Sequence, residues 1–200
     1  MVRMRALERH NANLGANELE GVLVQRAVGE RDEKALAELF KCYQSRLFNF
    51  IVRLVGRREE AVELTQDTFL QAFVSFDRLK DPRFFRPWLY RIALNISRNH
   101  LRLAARRERP YEPTEHPSAL WQQSARTPQE HLENSRDVAW ANTILSKLSE
   151  KDRSLILLRR VEGMSYKELS RVFRVPGPVL KMRMHRALLR LNELVEEELQ

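Results

Sequence analysis

Apolar side chains recur every three or four residues along most of this chain, and no alternating apolar and polar run of useful length occurs. The clearest stripe ends just before Gly56 and contains Leu36, Leu39, Phe40, Tyr43, Leu47, Phe50 and Leu54. This spacing predicts one long amphipathic helix that buries the stripe, with the glycine at its C-terminal end. The pattern as a whole predicts an all-α protein.

Three further helices are predicted around the long one, over residues 18–28, 59–76 and 84–103. Asp32 stands where it can cap the long helix at its N-terminus. The expected inward residues are Val62, Phe69, Phe73 and Phe76 on the 59–76 helix, and Phe85, Trp88, Ile92, Ile96 and Leu103 on the 84–103 helix. Four helices with matching apolar stripes can enclose one core, which predicts a first helical bundle.

A proline-rich segment then interrupts the helical pattern. Four of the eight prolines fall within residues 104–130, among Arg, Glu, Ser and Thr, which predicts a largely unstructured flexible linker. Trp121 within it could dock on a partner or a domain, or could simply be loosely packed. The predicted organisation is an N-terminal tail (1–17), a first domain (18–103), the linker (104–130) and a second domain (131–200).

The second domain is also predicted to be helical. One helix carries Val138, Ile144, Leu145 and Leu148, and Ser149 with Asp152 resembles a capping box for the next, which buries Leu155, Ile156 and Leu158 and ends at Gly163. Ser165 and Glu168 form a second capping box, which opens a short helix through Leu169, Val172 and Phe173. After a break at residues 174–177, Pro178 can start a final helix. A short helix, a brief turn and a long basic helix have helix-turn-helix spacing.

The final helix has two distinct faces. Its inward stripe is Leu180, Met184, Ala187, Leu188 and Leu191, so the opposite face presents Met182, His185 and Leu189, flanked by Lys181 and Arg186. Residues 171–190 contain six basic and no acidic side chains, as contact with phosphates would require. The face is therefore predicted to be a DNA-recognition surface, the alternative being a solvated basic face on an ordinary three-helix domain.

Charge divides the first domain in two. Residues 59–77 contain five acidic residues and no Lys or Arg, whereas residues 78–109 contain ten basic residues and two acidic ones. The net charge of +8 favours a polyanionic partner, although a basic protein can also be merely soluble. A single partner rarely suits both segments, so the switch predicts one protein-facing and one nucleic-acid-facing surface.

Candidate contact residues lie on both sides of this switch. Arg91, Asn95, Arg98 and Arg102 are spaced four, three and four apart, so they form one strip on the 84–103 helix. An arginine guanidinium can form two parallel hydrogen bonds to a phosphate, and an asparagine side chain can pair with a base edge. The neighbouring Phe84 is the best candidate for stacking on a base. The preceding helix presents Glu59, Glu63, Gln66, Asp67 and Leu70, a face that is either solvated or an interface.

Several functional classes are disfavoured by the composition. The single cysteine, Cys42, excludes an internal disulfide, and we expect it to be buried between Phe40 and Leu47. No run of eighteen apolar residues occurs and residues 1–17 lack the apolar core of a signal peptide, so we expect a cytoplasmic protein. The five histidines are scattered and no nucleotide-binding glycine loop occurs, so neither an enzyme, a metal site nor a cofactor is expected.

Four segments together resemble bacterial RNA polymerase sigma factors of the extracytoplasmic-function (ECF) group: residues 32–50, 64–73, 85–98 and 155–187. The resemblance implies two helical domains, called region 2 and region 4, that direct core RNA polymerase to particular promoters and open the DNA strands. It also implies control by an anti-sigma factor, which is often membrane-attached. Two other classes stay open on the residues alone: a helix-turn-helix regulator that binds duplex DNA without polymerase, and an adaptor that binds RNA or anionic lipid.

The resemblance also implies roles for individual residues. Core polymerase would bind Glu63, Gln66, Asp67 and Leu70. The minus-ten element, including a base flipped out of the duplex, would bind Asp77, Arg78, Lys80, Arg83, Phe84, Arg91, Asn95, Arg98 and Arg102. The minus-thirty-five element would bind Lys181, Met182, His185 and Arg186, with the flanking phosphates held by Ser165, Tyr166, Arg171 and Arg174.

The chain departs from the family pattern at the start of the final helix. The family commonly has Gly-Thr-Val-Lys-Ser-Arg where this chain has Pro-Val-Leu-Lys-Met-Arg at residues 178–183. The threonine and serine hydroxyls are thus absent, and Met182 offers only apolar contact, for example to a thymine methyl group. We therefore expect an unusual minus-thirty-five preference.

Overall fold

The computed structural model describes residues 20–106 and 140–199, and all regular structure within these ranges is helical. The helices are α1 (20–29, ending in a π-helical turn, Gln25–Gly29), α2 (Glu33–Val55), α3 (Arg58–Ser75), α4 (Phe85–Arg106), α5 (140–146), α6 (Glu150–Ile156, continued by a π-helical turn, Leu157–Val161), α7 (Tyr166–Phe173) and α8 (Gly177–Leu199). The predicted all-α class is confirmed. The tail, Trp121, Val138 and most of the predicted linker lie outside the described residues, and the domain division stays a prediction.

Helix α2 forms the centre of the first bundle, and its ends are the ones that the sequence predicts. The Asp32 carboxylate accepts hydrogen bonds from the backbone N–H groups of Lys34 (2.9 Å) and Ala35 (3.1 Å), which otherwise lack intrahelical partners. Gly56 ends the helix in the left-handed conformation, with φ 84°. The predicted stripe is buried except for the half-buried Phe40, and it packs against α3 and α4.

Helix α3 turns a different face inward from the one predicted. Its buried residues are Leu64 and four small or polar residues, Ala61, Thr65, Thr68 and Ala72, while the predicted core residues Val62 and Phe73 are 43% and 60% exposed. The two buried threonine hydroxyls donate to the carbonyl groups of Ala61 and Leu64, each at 2.6 Å, so they carry no unsatisfied polar atom into the core. Small inward residues let α3 approach its neighbours closely, which explains why its larger apolar residues remain outside.

The prediction for α4 also needs correction. Phe85 is buried as expected, but Trp88, Ile92 and Ile96 are only partly buried and Leu103 is 41% exposed. The fully buried side chains of this helix are instead Leu89, Tyr90, Ala93, Leu94 and Ser97. The reason is that α4 contacts α2 and α3 on one side and α7 on the other, so its buried surface is wider than a single stripe.

Cys42 is exposed, and the expectation that it is buried is wrong. The inward positions around it are Leu39 and Tyr43, and Leu47 continues the same face one turn later. At about 100° per residue, position 42 falls at the edge of this stripe rather than within it.

The helices of the second part follow the sequence signals closely. Ser149 accepts from the backbone N–H of Asp152 at 3.2 Å, and Ser165 with Glu168 forms a reciprocal capping box. Gly163 has a positive φ of 67°, and Arg174, with φ 56°, ends α7 in the left-handed conformation. The predicted inward residues of α8 are confirmed: Leu180, Met184 and Ala187 are buried, and Leu188 and Leu191 pack partly against the core.

The two described parts of the chain pack against each other. Helix α7 lies against α4, and the buried residues of both parts form one continuous cluster. Arg153 of α6 donates to the carbonyl oxygen of Leu54 at 2.8 Å, which satisfies one of the acceptors left free at the end of α2. None of the helices in the described parts combines the length and hydrophobicity that a membrane crossing requires.

The close packing of α3 predicts that enlarging its buried face is harmful. Ala72→Leu should lower the free energy of unfolding by about 1–3 kcal/mol, because the fully buried Ala72 has no space for the added methylene groups. Val74→Leu is the matched control, since Val74 is 74% exposed on the same helix. Urea unfolding followed by circular dichroism checks both, and equal stability of the two variants would contradict the packing described for α3.

Candidate functional site

The segment between α3 and α4, residues 77–84, is a short ordered loop that we call the capture loop. It contains the end of one 3-10 turn (Phe76–Arg78) and the whole of another (Pro82–Phe84), and the buried Leu79 between them anchors it to the core. Asp81 caps the second turn by accepting from the backbone N–H of Arg83 at 3.0 Å. A hydrogen bond from the Arg83 side chain lowers the pKa of Asp81, so this carboxylate is ionised at neutral pH.

Arg31, which the sequence analysis did not single out, holds the capture loop in place. Its guanidinium donates to the carbonyl oxygens of Phe76 (3.4 Å) and Asp77 (3.2 Å), pairs with the Asp77 carboxylate at 3.3 Å and lies over the Phe76 ring. Arg31 itself has a positive φ of 58°, in the sharp bend between α1 and α2. Only its place directly before the cap residue Asp32 could have drawn attention to it in the sequence.

The four residues of the predicted strip on α4 do share one side of the helix, but their surroundings differ. Asn95 and Arg102 are exposed, and Arg102 donates to the side chain of Asn99 at 2.9 Å. Arg91 and Arg98 are half-buried, because the second part of the chain covers them. We refer to Arg91, Asn95, Arg98 and Arg102 as the arginine strip.

A cavity of about 350 Å³ lies where the capture loop, α4 and α7 meet. Residues predicted for two different promoter elements line it together: Phe84 and Arg91 from the first part, and Arg171 and Arg174 from the second, with Leu79, Pro87 and Trp88 completing the wall. The Arg171 guanidinium lies 4.0 Å from the Phe84 ring centroid. Burial, and after it the charge of Arg174, lowers the pKa of Arg91. Three arginines, Arg91, Arg171 and Arg174, line this one cavity.

The acidic face of α3 borders an open groove with a mixed polar and apolar lining. Glu63, Gln66, Asp67 and Leu70 are all exposed, as the sequence predicts. Asp67 and Leu70 line an open groove of about 490 Å³ between α3 and α4, together with Leu64, Gln71, Val74, Ile96, Asn99, His100 and Leu103. Leu70, Phe73 and Val74 are each at least 60% exposed, so this surface combines carboxylates with large apolar side chains. A surface of this composition is typical of a protein interface.

Helix α8 presents the predicted recognition residues to solvent. Lys181, Met182, His185 and Arg186 are all exposed, and Arg186 contacts the Met182 sulfur at 3.5 Å. We refer to these four residues as the reading face. At the start of α7, the Ser165 side chain belongs to the capping box, and the Tyr166 ring lies near Arg159 and, on α8, Lys181.

Two family models match separate segments of the chain. Residues 39–107 match the family model described as Sigma-70 region 2, and residues 140–191 match the one described as Sigma-70, region 4. The first match includes every residue predicted here to contact polymerase or the minus-ten element. The second includes every residue predicted to contact the minus-thirty-five element.

Similar proteins of known identity extend the match over most of the chain. RNA polymerase sigma-H factor of Pseudomonas aeruginosa is 28% identical, over 89% of this chain and 92% of its own length. The ECF RNA polymerase sigma-E factor of Haemophilus influenzae is 27% identical over 89% and 94%, and SigW of Bacillus subtilis is 28% identical over 80% and 89%. The chain is a sigma factor of the ECF group.

Solved structures share the fold of this sigma factor. The structure of CnrH in complex with the cytosolic domain of CnrY matches with a TM-score of 0.65 at 24% identity, over 90% of this chain and 98% of the other. The sigma factor RpoE of Bartonella quintana, crystallised with the anti-sigma factor NepR, matches with a TM-score of 0.65 at 22% identity, over 82% and 98%. The predicted two-part helical architecture is therefore found in known sigma factors.

The contacts of Arg31 predict a loop that loosens when they are removed. In Arg31→Ala, amide hydrogen exchange in residues 77–84 should accelerate by about fivefold, because two hydrogen bonds to the loop backbone are lost from a half-exposed guanidinium. Lys41→Ala removes an exposed cation that pairs with Glu38 on α2 and should leave loop exchange unchanged. Equal exchange in both variants would show that Arg31 does not hold the loop.

Proposed function

We propose that this sigma factor directs core RNA polymerase to specific promoters, with the work divided among the surfaces described above. Support comes from one observation: the region-2 part carries a groove with acidic and apolar lining residues on α3 beside the arginine strip on α4, so two chemically different partners can bind one small bundle together. Polymerase would bind the groove side and promoter DNA the strip. A chain with this role acts in the cytoplasm, where polymerase and chromosome meet.

The capture loop and the arginine strip suit an unpaired promoter strand. Exposed Asn95 can pair with a base edge, Phe84 can stack on a flipped base, and the arginines can bind the strand phosphates. The loop also exposes four charged side chains, namely Asp77, Arg78, Lys80 and Arg83. In this proposal the loop captures the minus-ten element after the duplex opens.

The reading face suits duplex DNA. Its exposed cations can contact phosphates and base edges in the major groove, and Met182 adds an apolar contact in place of the serine that the family commonly has. On one promoter, the contact made by the reading face and the contact made by the capture loop and arginine strip strengthen the overall affinity together. Once the first contact has formed, the second is intramolecular and so benefits from a high effective concentration. Because relatives in solved structures are bound to anti-sigma factors, we further propose that such a partner controls this chain.

Reconstitution with core polymerase tests the proposal. It also distinguishes a sigma factor from the alternative function, a helix-turn-helix regulator that binds duplex DNA without polymerase. The purified chain should bind core polymerase and support run-off transcription from promoters identified by mapping transcripts genome-wide. A regulator that binds only duplex DNA would do neither.

Asp67→Arg should weaken binding to core polymerase by about tenfold or more, because it reverses charge on the exposed acidic side of the groove. Glu38→Arg is the control, since Glu38 is an exposed acid on α2 away from this groove. Fluorescence anisotropy of labelled chain titrated with core polymerase measures both. Retained affinity in Asp67→Arg would exclude this face as the polymerase interface.

Arg186→Ala should reduce binding to a duplex that carries the upstream promoter element by about tenfold, the cost of one lost base or phosphate contact. Arg190→Ala provides the comparison, because Arg190 is also exposed on α8 but pairs with Glu193 at 2.9 Å outside the reading face. Electrophoretic mobility shift with cognate and scrambled duplexes measures the difference. An equal loss in the two variants would mean that α8 contributes general charge rather than recognition.

A further inference from the structure

The cavity between the capture loop, α4 and α7 is lined by two chemically different groups of side chains. One group is apolar and belongs to the first part of the chain: Leu79, Phe84, Pro87 and Trp88. The other group is cationic and comes from both parts: Arg91, Arg171 and Arg174. Ligand sites commonly combine an apolar lining with a few convergent polar or charged groups, and they often lie where two parts of a protein meet.

The cations of this cavity are not neutralised by neighbouring carboxylates. Within residues 20–106 and 140–199, Arg91 and Arg174 have no carboxylate partner, whereas the half-buried Arg98 pairs with Glu150 at 2.7 Å. Burial, followed by the charge of Arg174, lowers the pKa of Arg91, so the charged group that most affects Arg91 is another cation. Like charges that share a cavity repel each other, and an anion bound in the cavity removes this cost.

Arg171 is the arginine closest to an acidic group, but that group is already engaged. The hydrogen bond from the Arg83 side chain lowers the pKa of Asp81, and the charge of Arg171 contributes a smaller effect in the same direction. Because Arg83 pairs with the Asp81 carboxylate at 2.7 Å, Asp81 leaves most of the positive charge of the cavity uncompensated. The lining is therefore suited to an anion that carries more than one charge.

Phe84 and Trp88 provide rings on which a planar base can stack. Both side chains are half-buried, so part of each ring remains accessible. The Arg171 guanidinium lies 4.0 Å from the Phe84 ring centroid, and guanidinium groups, like aromatic rings, also stack on bases. Trp88 is held by Phe76 and Phe85, whose ring centroids lie 6.2 and 5.9 Å from its own. The Trp88 ring is therefore positioned by contacts that do not involve a ligand.

The size of the cavity limits its ligand to a small molecule. Its volume of about 350 Å³ is near the lower end of the roughly 300–1,000 Å³ that is typical of ligand sites. Inorganic phosphate would contact the arginines and leave the aromatic rings without a partner. A nucleoside triphosphate suits both groups of side chains, because guanidinium groups bind phosphates and a base stacks on aromatic rings.

We propose that this cavity is a binding site for a free nucleoside triphosphate, with Arg91, Arg171 and Arg174 contacting the phosphates and Phe84 and Trp88 contacting the base. The site goes beyond the proposed function, because it requires neither polymerase nor promoter. A DNA strand offers the same chemistry of bases and phosphates, and it is proposed above to bind Phe84 and Arg91. A test must therefore separate a free nucleotide from a strand.

Trp88 provides a fluorescence signal from within the cavity. The chain contains three tryptophans, so Trp121→Phe combined with Trp140→Phe leaves Trp88 as the remaining one. In this full-length variant, ATP and GTP should each quench the Trp88 emission, because a base stacks on or beside the indole ring. Inorganic tripolyphosphate has no base, so it should bind about tenfold more weakly than ATP and GTP in isothermal titration calorimetry.

Two arginine variants test the contacts with the phosphates. Arg91→Gln and Arg174→Asn should each weaken ATP binding by about tenfold, because each removes one cation from the cavity. Asparagine is chosen at position 174 because Arg174 has a positive φ of 56°, which asparagine tolerates. Arg160→Gln is the matched control, since Arg160 is an exposed arginine of the second part that does not line the cavity. Circular dichroism of each variant separates a loss of binding from a loss of fold.

A short labelled oligo(dT) strand distinguishes a DNA ligand from a free nucleotide. Arg174 belongs to the second part, which is proposed to contact duplex DNA, so Arg174→Asn should weaken ATP binding and leave oligo(dT) binding unchanged in fluorescence anisotropy. Arg91→Gln should weaken both. An equal loss of ATP and oligo(dT) affinity in Arg174→Asn would assign the cavity to the DNA strand and overturn the proposal.

Three other results would also overturn the nucleotide site. They are no binding of ATP or GTP, equal affinity for tripolyphosphate and the nucleotides, and an equal loss of ATP affinity in Arg160→Gln. The last two would mean that net positive charge, rather than this cavity, attracts the phosphates. Run-off transcription with core polymerase tests the sigma function separately. Transcription without nucleotide binding by the free chain would overturn only the nucleotide site, and nucleotide binding without transcription would overturn only the proposed function.

Discussion

The hydrogen bond from the Tyr90 hydroxyl to the Glu162 carboxylate joins the two parts of the molecule at a point nearly sealed from water. A buried carboxylate must find donors inside the protein, and the only nearby donors that the described contacts give it lie on α2 and α4. That requirement holds Glu162, at the end of the π-helical turn after α6, against the first bundle. The contacts of Arg98 and Arg171 with groups across the interface then follow from the position of α7 along α4.

This arrangement uses several arginines for two tasks. Arg98 and Arg171 are suited to phosphates, yet in the folded chain they bind a carboxylate and an aromatic face of the opposite part. Guanidinium groups allow such exchange, because their planar fork binds carboxylates and phosphates alike and also stacks on rings. A surface built from arginine can therefore contact acidic and aromatic groups of the opposite part, as Arg98 and Arg171 do.

In the first bundle, the surface proposed to bind polymerase contains large apolar side chains of α3 that are not buried in the core. Ala61, Thr65, Thr68 and Ala72 make the inner face of α3 small, and the larger Leu70, Phe73 and Val74 are displaced to the surface. Leu70 and Val74 line, together with Asp67, the groove proposed for polymerase. The close packing of α3 and the apolar part of the groove lining thus have the same origin.

Much of the local structure could be predicted from the sequence because it depends on neighbours along the chain. The Asp32 cap, the glycine end of α2 and the Ser165 capping box involve residues within a few positions, and the exposed face of α8 follows from helical periodicity. The same reasoning failed for α3, α4 and Cys42. It assumes that the largest apolar residues point inward, which is untrue of α3. It also assumes that each helix has one buried face, which is untrue of α4.

What the sequence alone determined is the helical class, most helix ends, the two charged surfaces and the family resemblance, since all of these are properties of short segments and their order. The tertiary structure decided which face of α3 is buried, that Arg31 holds the capture loop across 45 positions of sequence, and that the second part covers Arg91 and Arg98 of the arginine strip. These features depend on contacts between residues far apart in the chain. Periodicity and capping rules describe one helix at a time, so they carry no information about which helix covers another.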